Sequence, residues 1–459
     1  MFENVCSLPL PGDVFAQAVH PTEPVVTVGL YNGRVQCFRL PPPANGGGAS
    51  SGGEEEEDME TSILSDGRAT IESVWGTKRH KRSCRALGYS PDGDLMFSAG
   101  SDGIVKHFSS TTGRVISKVL VPKFGNHDDA PSILHAIDPQ HLLLGTDAGA
   151  LHIFDLRQDG LAAKPARTSF PHTDYISSIV PLPPPNASQG SSPGADPVFP
   201  KQWVTTGGTT LAVTDMRSGT LVRSDDQEDD LLCATYVAGI GPKKAANRGI
   251  VAVGGSTGVL TMWDRGSWDD QQERVIVDSG RGGGDSIDAV ALIPEELGYG
   301  KKVVAAVGDG SLRLVDLVRR EVDVTATLRH DDSEGAVAVG FDCFGRMITA
   351  GGAIVKIWED LTELQGNGAE DDEEEESDEE EDEEEEEDSD DDEEEDGAED
   401  ASGKKRAREE DSDEEDSDSD SEEERDRERR ERQRKRREAI AARLGPMGAH
   451  GVLRFEGLD

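Results

Sequence analysis

Cysteine is scarce in this 459-residue chain and poorly spaced for chemistry. Cys6, Cys37, Cys84, Cys233 and Cys343 are odd in number, far apart and never paired as C-x-x-C. That excludes a disulfide framework and a cysteine zinc site, and predicts small buried thiols in a reducing compartment. Long apolar runs are missing as well. The opening MFENVCSLPL has no basic segment ahead of an apolar stretch of signal length, and no other run reaches the length of a membrane span. The expectation is a soluble intracellular protein with no membrane partner. Catalytic signatures are equally absent: there is no G-x-S-x-G, no G-x-x-x-x-G-K-[ST] and no H-E-x-x-H. The glycine-rich pieces at 239–241 and 298–302 lack the third glycine or the hydroxyl that phosphate cradling uses, so they read as turns. No enzyme, no cofactor and no metal are expected.

What the chain has instead is a repeated hairpin, clearest in YSPDGDLMFSAGSDGIVKHF from Tyr89 to Phe108. Pro91-Asp92-Gly93 and Ser101-Asp102-Gly103 supply two turns, because proline presets φ and glycine accepts the positive φ of a tight hairpin. The short apolar runs Leu95-Met96-Phe97 and Ile104-Val105 between them have strand length. Aligning on the residue that ends the third strand finds the pattern seven times, at Phe38, Phe108, Phe154, Thr214, Trp263, Val315 and Trp358. Five of these are followed by an acid: Asp155, Asp215, Asp264, Asp316 and Glu359. The spacing of 43 to 70 residues with inserted loops suits a propeller-blade repeat of roughly 40 to 45 residues better than a helical repeat.

The pattern resembles the WD repeat, so the predicted fold is all-β, a seven-bladed WD40-type β-propeller over residues 1–360. In many propellers of this kind a strand from one terminus completes the last blade, and the strand-like FENVCSLP is free for that role. His127, His172 and His330 each precede the first strand of a blade. The WD resemblance implies that they hydrogen-bond within the blade, to partners that include an Asp in the second turn, which Asp102, Asp147 and Asp309 occupy. Residues 41–60 and 181–200 read as disordered insertions, and 236–247 as a shorter one.

Charge divides the chain. Residues 361–459 hold 46 acids and 15 bases, which accounts for −31 of the net −46. Such a segment is expected to remain a disordered, solvated tail beside a folded body, with a possible short helix near 422–444. Its two basic clusters, with Lys404, Lys405, Arg406 and Arg408 in the first and Arg434, Lys435, Arg436 and Arg437 ending the second, are candidate nuclear-localisation signals and possible RNA contacts. Ser377, Ser389, Ser412, Ser417, Ser419 and Ser421 are each followed by acids and are candidate phosphorylation sites for acid-directed kinases.

The runs HDDAPSILHAIDPQHLLLGTDAGALHIFDLR, FPHTDYISSI, WDRGSWDDQQERV and DSIDAVALIPE, with the opening MFENVCSLPLPGDVFAQAVHP, resemble the WD repeat-containing protein 55 family, and most closely its fungal members, the Jumonji-interacting WD-repeat proteins. That resemblance implies a non-catalytic nucleolar scaffold in ribosome biogenesis, connected with ribosomal RNA production and the large subunit, whose partners are proteins of pre-ribosomal particles. Two alternatives stand beside it. Phe154-Asp155-Leu156-Arg157 resembles the aromatic-Asp-x-Arg signature of substrate receptors of cullin-type ubiquitin ligases, and Asp215-Met216-Arg217 repeats its second half. An intrablade ion pair explains Asp155 with Arg157, and Asp215 with Arg217, more simply. The acidic tail also suits basic ribosomal proteins or histones, which leaves a histone-binding or chaperone-like role open.

Overall fold

The computed structural model describes residues 2–41, 62–63, 70–157, 160–184, 198–241, 249–280, 283–332 and 334–360. The acidic tail with its basic clusters, serines and expected helix, and most of the insertion at 41–60, lie outside the described residues.

Seven antiparallel sheets follow one another along the chain. Blade 1 is Val14–Val19, Val25–Leu30, Arg34–Arg39 and Thr70–Lys78, with Ser62–Ile63 adding a short fifth strand. Blade 2 is Cys84–Tyr89, Leu95–Gly100, Ile104–Ser109 and Val115–Leu120. Blade 3 is Pro131–Asp138, His141–Thr146, Leu151–Asp155 and Arg167–Ser169, and blade 4 is Ile176–Leu182, Gln202–Gly207, Thr210–Asp215 and Gly219–Arg223. Blade 5 is Leu231–Ala238, Gly249–Gly255, Val259–Asp264 and Glu273–Ile276, and blade 6 is Ile287–Leu292, Lys302–Val307, Ser311–Asp316 and Glu321–Arg329. Blade 7 takes Ala338–Phe341, Met347–Gly351 and Ile354–Asp360 from one end of the propeller sequence and Phe2–Pro9 from the other.

Strand composition follows from position in the blade. Second strands have neighbours on both faces, so they are buried almost throughout: Val303 to Val307 are all buried, and the hydroxyls that such strands do carry, at Thr27, Ser98, Thr205 and Thr349, are hydrogen-bonded. Outer strands meet solvent, and Val115, Ile116 and Leu120 of blade 2 are exposed. First strands of successive blades lie side by side around the ring, including those of blades 7 and 1. The seven aligned positions, Phe38, Phe108, Phe154, Thr214, Trp263, Val315 and Trp358, are all buried on third strands. Even Thr214 is, because the pleat decides which face it takes.

The core is divided among the seams. Seven apolar clusters of described residues each bridge two consecutive blades. The cluster between blades 7 and 1 joins Cys6, Leu8 and Leu10 to Val28, Leu30, Ile348 and Ile357. The smallest lies between blades 1 and 2, with Ala16, Val35, Cys84 and Leu87. Polar groups reinforce that seam: Tyr89 OH lies 2.7 Å from Thr27 Oγ1.

N-terminal closure is as expected, with Phe2 opposite Asp360 and Pro9 opposite Ile354. Two insertions begin later than the sequence suggests. Pro181 and Leu182 still pair with Trp203 and Gln202, and Tyr236 and Ala238 pair with Val251 and Gly249, because burial between blades outweighs the local turn signals. Cys6, Cys37, Cys84 and Cys233 are buried free thiols, while Cys343 is exposed.

Candidate interaction surface

One face of the ring, called the upper face here, is built from the second-to-third-strand turns and the crossings between blades. Backbone hydrogen bonds tie the two sets together: Arg79 and His80 amides donate to the Gly33 carbonyl, Val121 to Gly103, Leu231 to Gly208, Val277 to Gly258 and His330 to Gly310. Buried histidines fix several crossings further. His80 places Nδ1 3.0 Å from Asp102 Oδ1 and Nε2 2.9 Å from Ser98 Oγ. His172 lies 2.8 Å from both Thr210 Oγ1 and Thr205 Oγ1. His330 Nδ1 is 2.9 Å from Thr349 Oγ1, which also accepts from Trp358 Nε1.

His172 and His330 bond within their blades as expected, but to threonines rather than to an aspartate. His80 pairs with an aspartate of the second turn, Asp102, and the expected set omits it. Its signal is spacing, since His80 stands four residues before Cys84 as His172 stands before Ile176. His127 is exposed on its crossing, and buried Asp129 takes the inward place, accepting the Ala148 amide. Burial raises the Asp129 carboxyl above its ordinary range. Asp147 instead accepts from Arg85 of blade 2 at 2.6 Å, and Asp309 from the amide and hydroxyl of Ser311.

Beside His80, the Arg79 guanidinium is buried with its carbon 3.8 Å from the Phe108 ring centre and 5.4 Å from that of Trp75. Its Nη2 donates to the Gly113 carbonyl at 2.7 Å, and burial lowers its pKa to about 10. A cation in this place strengthens the seam whose apolar cluster is smallest.

Burial likewise holds His152 and His172 neutral, with pKa values lowered to about 4. An unfolded histidine titrates near 6.5, so between about pH 6.5 and 4 the unfolded chain binds protons that these folded sites refuse. Their contribution is therefore complete above pH 6.5 and is lost as pH falls through that window, by up to roughly 3 kcal/mol for each histidine. Melting temperatures should fall between pH 7 and pH 4.5; a constant value across that range would contradict the assignment.

Two features distinguish the outer part of the upper face. Phe124 on the crossing from blade 2 to 3 and Phe170 on the crossing from blade 3 to 4 are 50% and 52% exposed, with ring centres 5.7 Å apart. The two rings shield one another and form an exposed apolar patch across neighbouring crossings. Farther round the ring the crossings carry the exposed acids Asp225, Asp226, Glu228, Asp285 and Asp332, while Asp229 accepts from the Ser256 and Thr257 hydroxyls at 2.6 Å. Sequence reading missed the aromatic pair, which no periodicity marks.

The Asp-x-Arg residues lie at the ends of third strands, on the opposite face. Arg157 Nε is 3.0 Å from both oxygens of Asp155, and these hydrogen bonds hold the Asp155 carboxyl well below the usual carboxylate range. Asp215 acts differently: its Oδ1 accepts the amides of Ser218 and Arg217, both at 2.9 Å. Arg167 of blade 3 donates to the Arg217 carbonyl, joining the two neighbouring turns. Among the described residues, no group of His, Cys, Asp or Glu is arranged to hold a metal, and no helix is long and apolar enough to cross a membrane.

Comparison with known proteins places this architecture. Residues 59–124 match the anaphase-promoting complex subunit 4 WD40 domain. WD repeat-containing protein jip5 of Botryotinia fuckeliana is 49% identical over 370 residues, which is 79% of this chain and 83% of that protein. The chain belongs to the jip5 family of WD-repeat proteins. Jip5 of Aspergillus niger is 48% identical, over 78% of this chain and 82% of its own length. JIP5 of Coccidioides immitis is 46% identical, over 81% and 84%. The resemblance to the fungal members therefore holds, and a jip5-family propeller supports a scaffold or protein-interaction role.

Proposed function

We propose that this protein is a non-catalytic nucleolar scaffold in ribosome biogenesis, serving ribosomal RNA production and large-subunit assembly. The observation that carries the binding role is the Phe124–Phe170 pair, two half-exposed rings packed on each other at neighbouring crossings. The family resemblance supports the nucleolar setting. The bases Lys404, Lys405, Arg406, Arg408, Arg434, Lys435, Arg436 and Arg437 supply signals for nuclear import. The acidic tail attracts basic ribosomal proteins over a range set by ionic strength.

Affinity purification of the tagged full chain, with sequencing of crosslinked RNA, tests this reading. Recovery of pre-ribosomal proteins is expected. Replacing Phe124 and Phe170 together by alanine should reduce that recovery by about tenfold or more while leaving the melting temperature unchanged, because exposed anchors contribute to binding and little to the core. A cullin adaptor lost on Arg157→Ala would favour the ligase-receptor reading. Histones as the main recovered proteins would favour the chaperone-like one.

A further inference from the structure

We propose that the crossings between blades 1 and 4 bind a short stretch of single-stranded nucleic acid, which stacks bases on Phe124 and Phe170 and lays phosphates on Lys81, Arg82, Lys123 and Arg223. The crossing from blade 1 to 2 carries the basic run Lys78 to Arg82. Arg79 and His80 turn inward, while Lys81 and Arg82 are exposed and, among the described residues, in no ion pair. On the next crossing Lys123, beside Phe124, meets Asp128 at 2.8 Å. Both partners are exposed, and a pair of that kind is weak enough for a phosphate to take its lysine. That hydrogen bond and, after it, the charge of Arg82 lower the Asp128 carboxyl, which sets Arg82 close to this crossing. On the far side Arg223, at the end of blade 4, donates through Nη2 to the Phe170 carbonyl at 3.1 Å. Cations therefore flank both ends of an aromatic pair that keeps about half its surface in solvent.

Rings and cations together choose the ligand. A single strand offers an anion and a flat apolar face at every residue, whereas an acidic peptide carries its charge on side chains without such a face. The acids of these crossings oppose the bases only in part. Asp102 is engaged by His80, Asp129 is buried on the Ala148 amide, and Asp174 is exposed. Beyond Arg223 the exposed Asp225, Asp226 and Glu228 repel a phosphate chain, so the site is short. In the setting proposed above the ligand is RNA. The inference rests on the reading of the Phe124–Phe170 pair as a binding surface, yet its test uses nucleic acid alone and can fail while recovery of pre-ribosomal proteins succeeds.

The probe is a fluorescein-labelled single-stranded RNA of about ten nucleotides, compared by fluorescence polarisation on the full chain with an abasic strand of equal length that keeps the phosphates and lacks the bases. The RNA should bind about tenfold or more tightly than the abasic strand. The basic clusters at 404–408 and 425–437 contain no aromatic ring, so they attract both strands through charge, and the preference reads the crossings. Phe124→Ala with Phe170→Ala should abolish the preference at an unchanged melting temperature. Phe124→Tyr with Phe170→Tyr should retain it, because a phenol ring stacks as well. Lys81→Ala with Arg82→Ala should weaken RNA binding several-fold and flatten the log–log salt slope by about 1 to 2. DNA of the same sequence should bind within a few-fold of RNA, since stacking and charge do not read the 2′-hydroxyl. Equal affinity of the RNA and abasic strands, or a preference that survives the double alanine variant, would overturn the proposal. So would a labelled glutamate-rich peptide that binds as tightly as the RNA and is lost with the same two rings, which would assign the surface to an acidic protein.

Discussion

Deleting residues 1–10 is expected to abolish cooperative folding of the propeller. The strand Phe2–Pro9 supplies the whole outer edge of blade 7, paired from Phe2 opposite Asp360 to Pro9 opposite Ile354. Leu10 extends the contact through its amide to the Ala353 carbonyl at 2.8 Å. Phe2, Leu8 and Leu10 are buried in two different seams, and each is worth roughly 2 kcal/mol of apolar burial. Their joint loss approaches the 5 to 15 kcal/mol that holds a typical domain together, before the unpaired edge is counted. Urea or thermal unfolding decides the matter. A truncated chain that melts within about a degree of the full chain would show that blade 7 closes without this strand.

Gly33→Ala should be the most damaging single methyl in blade 1, with a loss of about 3 kcal/mol or more. Gly33 has φ +80°, and an added Cβ would collide with the carbonyl oxygens of both His80 and Arg82. Backbone cannot yield as a side-chain tip can. The Gly33 carbonyl also accepts the amides of Arg79 at 2.8 Å and His80 at 2.9 Å. Displacing it therefore disturbs both the guanidinium over Phe108 and the His80–Asp102 pair. Gly103 is the internal control: it occupies the equivalent turn of blade 2 with φ +71°, yet nothing lies within 4 Å of a Cβ built there. Gly103→Ala should cost only the left-handed backbone penalty of about 1 to 2 kcal/mol. Equal losses in the two variants would rule out the steric argument.

The fold was legible because its evidence repeats. Burial on both faces forces second strands rich in apolar residues, tight turns force glycine, and seven copies of that pattern reinforce one another even where Thr214 or Val315 stands in for an aromatic ring. The site was harder to read because its contacts occur once. Phe124 and Phe170 meet only after two crossings are placed, and neither residue type is unusual in a loop. His80 was hidden by the strongly basic run KRHKR around it, whereas His127 sits in a more suggestive HDD context yet points outward while Asp129 turns in. The change of register between Leu312 and Leu314 was hidden as well, because strand alternation alone does not reveal a bulge.

Pairing Phe2 with Asp360 also imposes a schedule on synthesis. The strand that seals the ring is made first, and its partner Ile354–Asp360 is made only after all the other blades. At roughly 10 residues per second, Phe2–Pro9 waits on the order of half a minute on a growing chain. Throughout that interval its apolar face is unburied and its backbone unpaired, so the newborn protein depends on outside protection, or on provisional contacts within the emerging blades, until the last hairpin arrives.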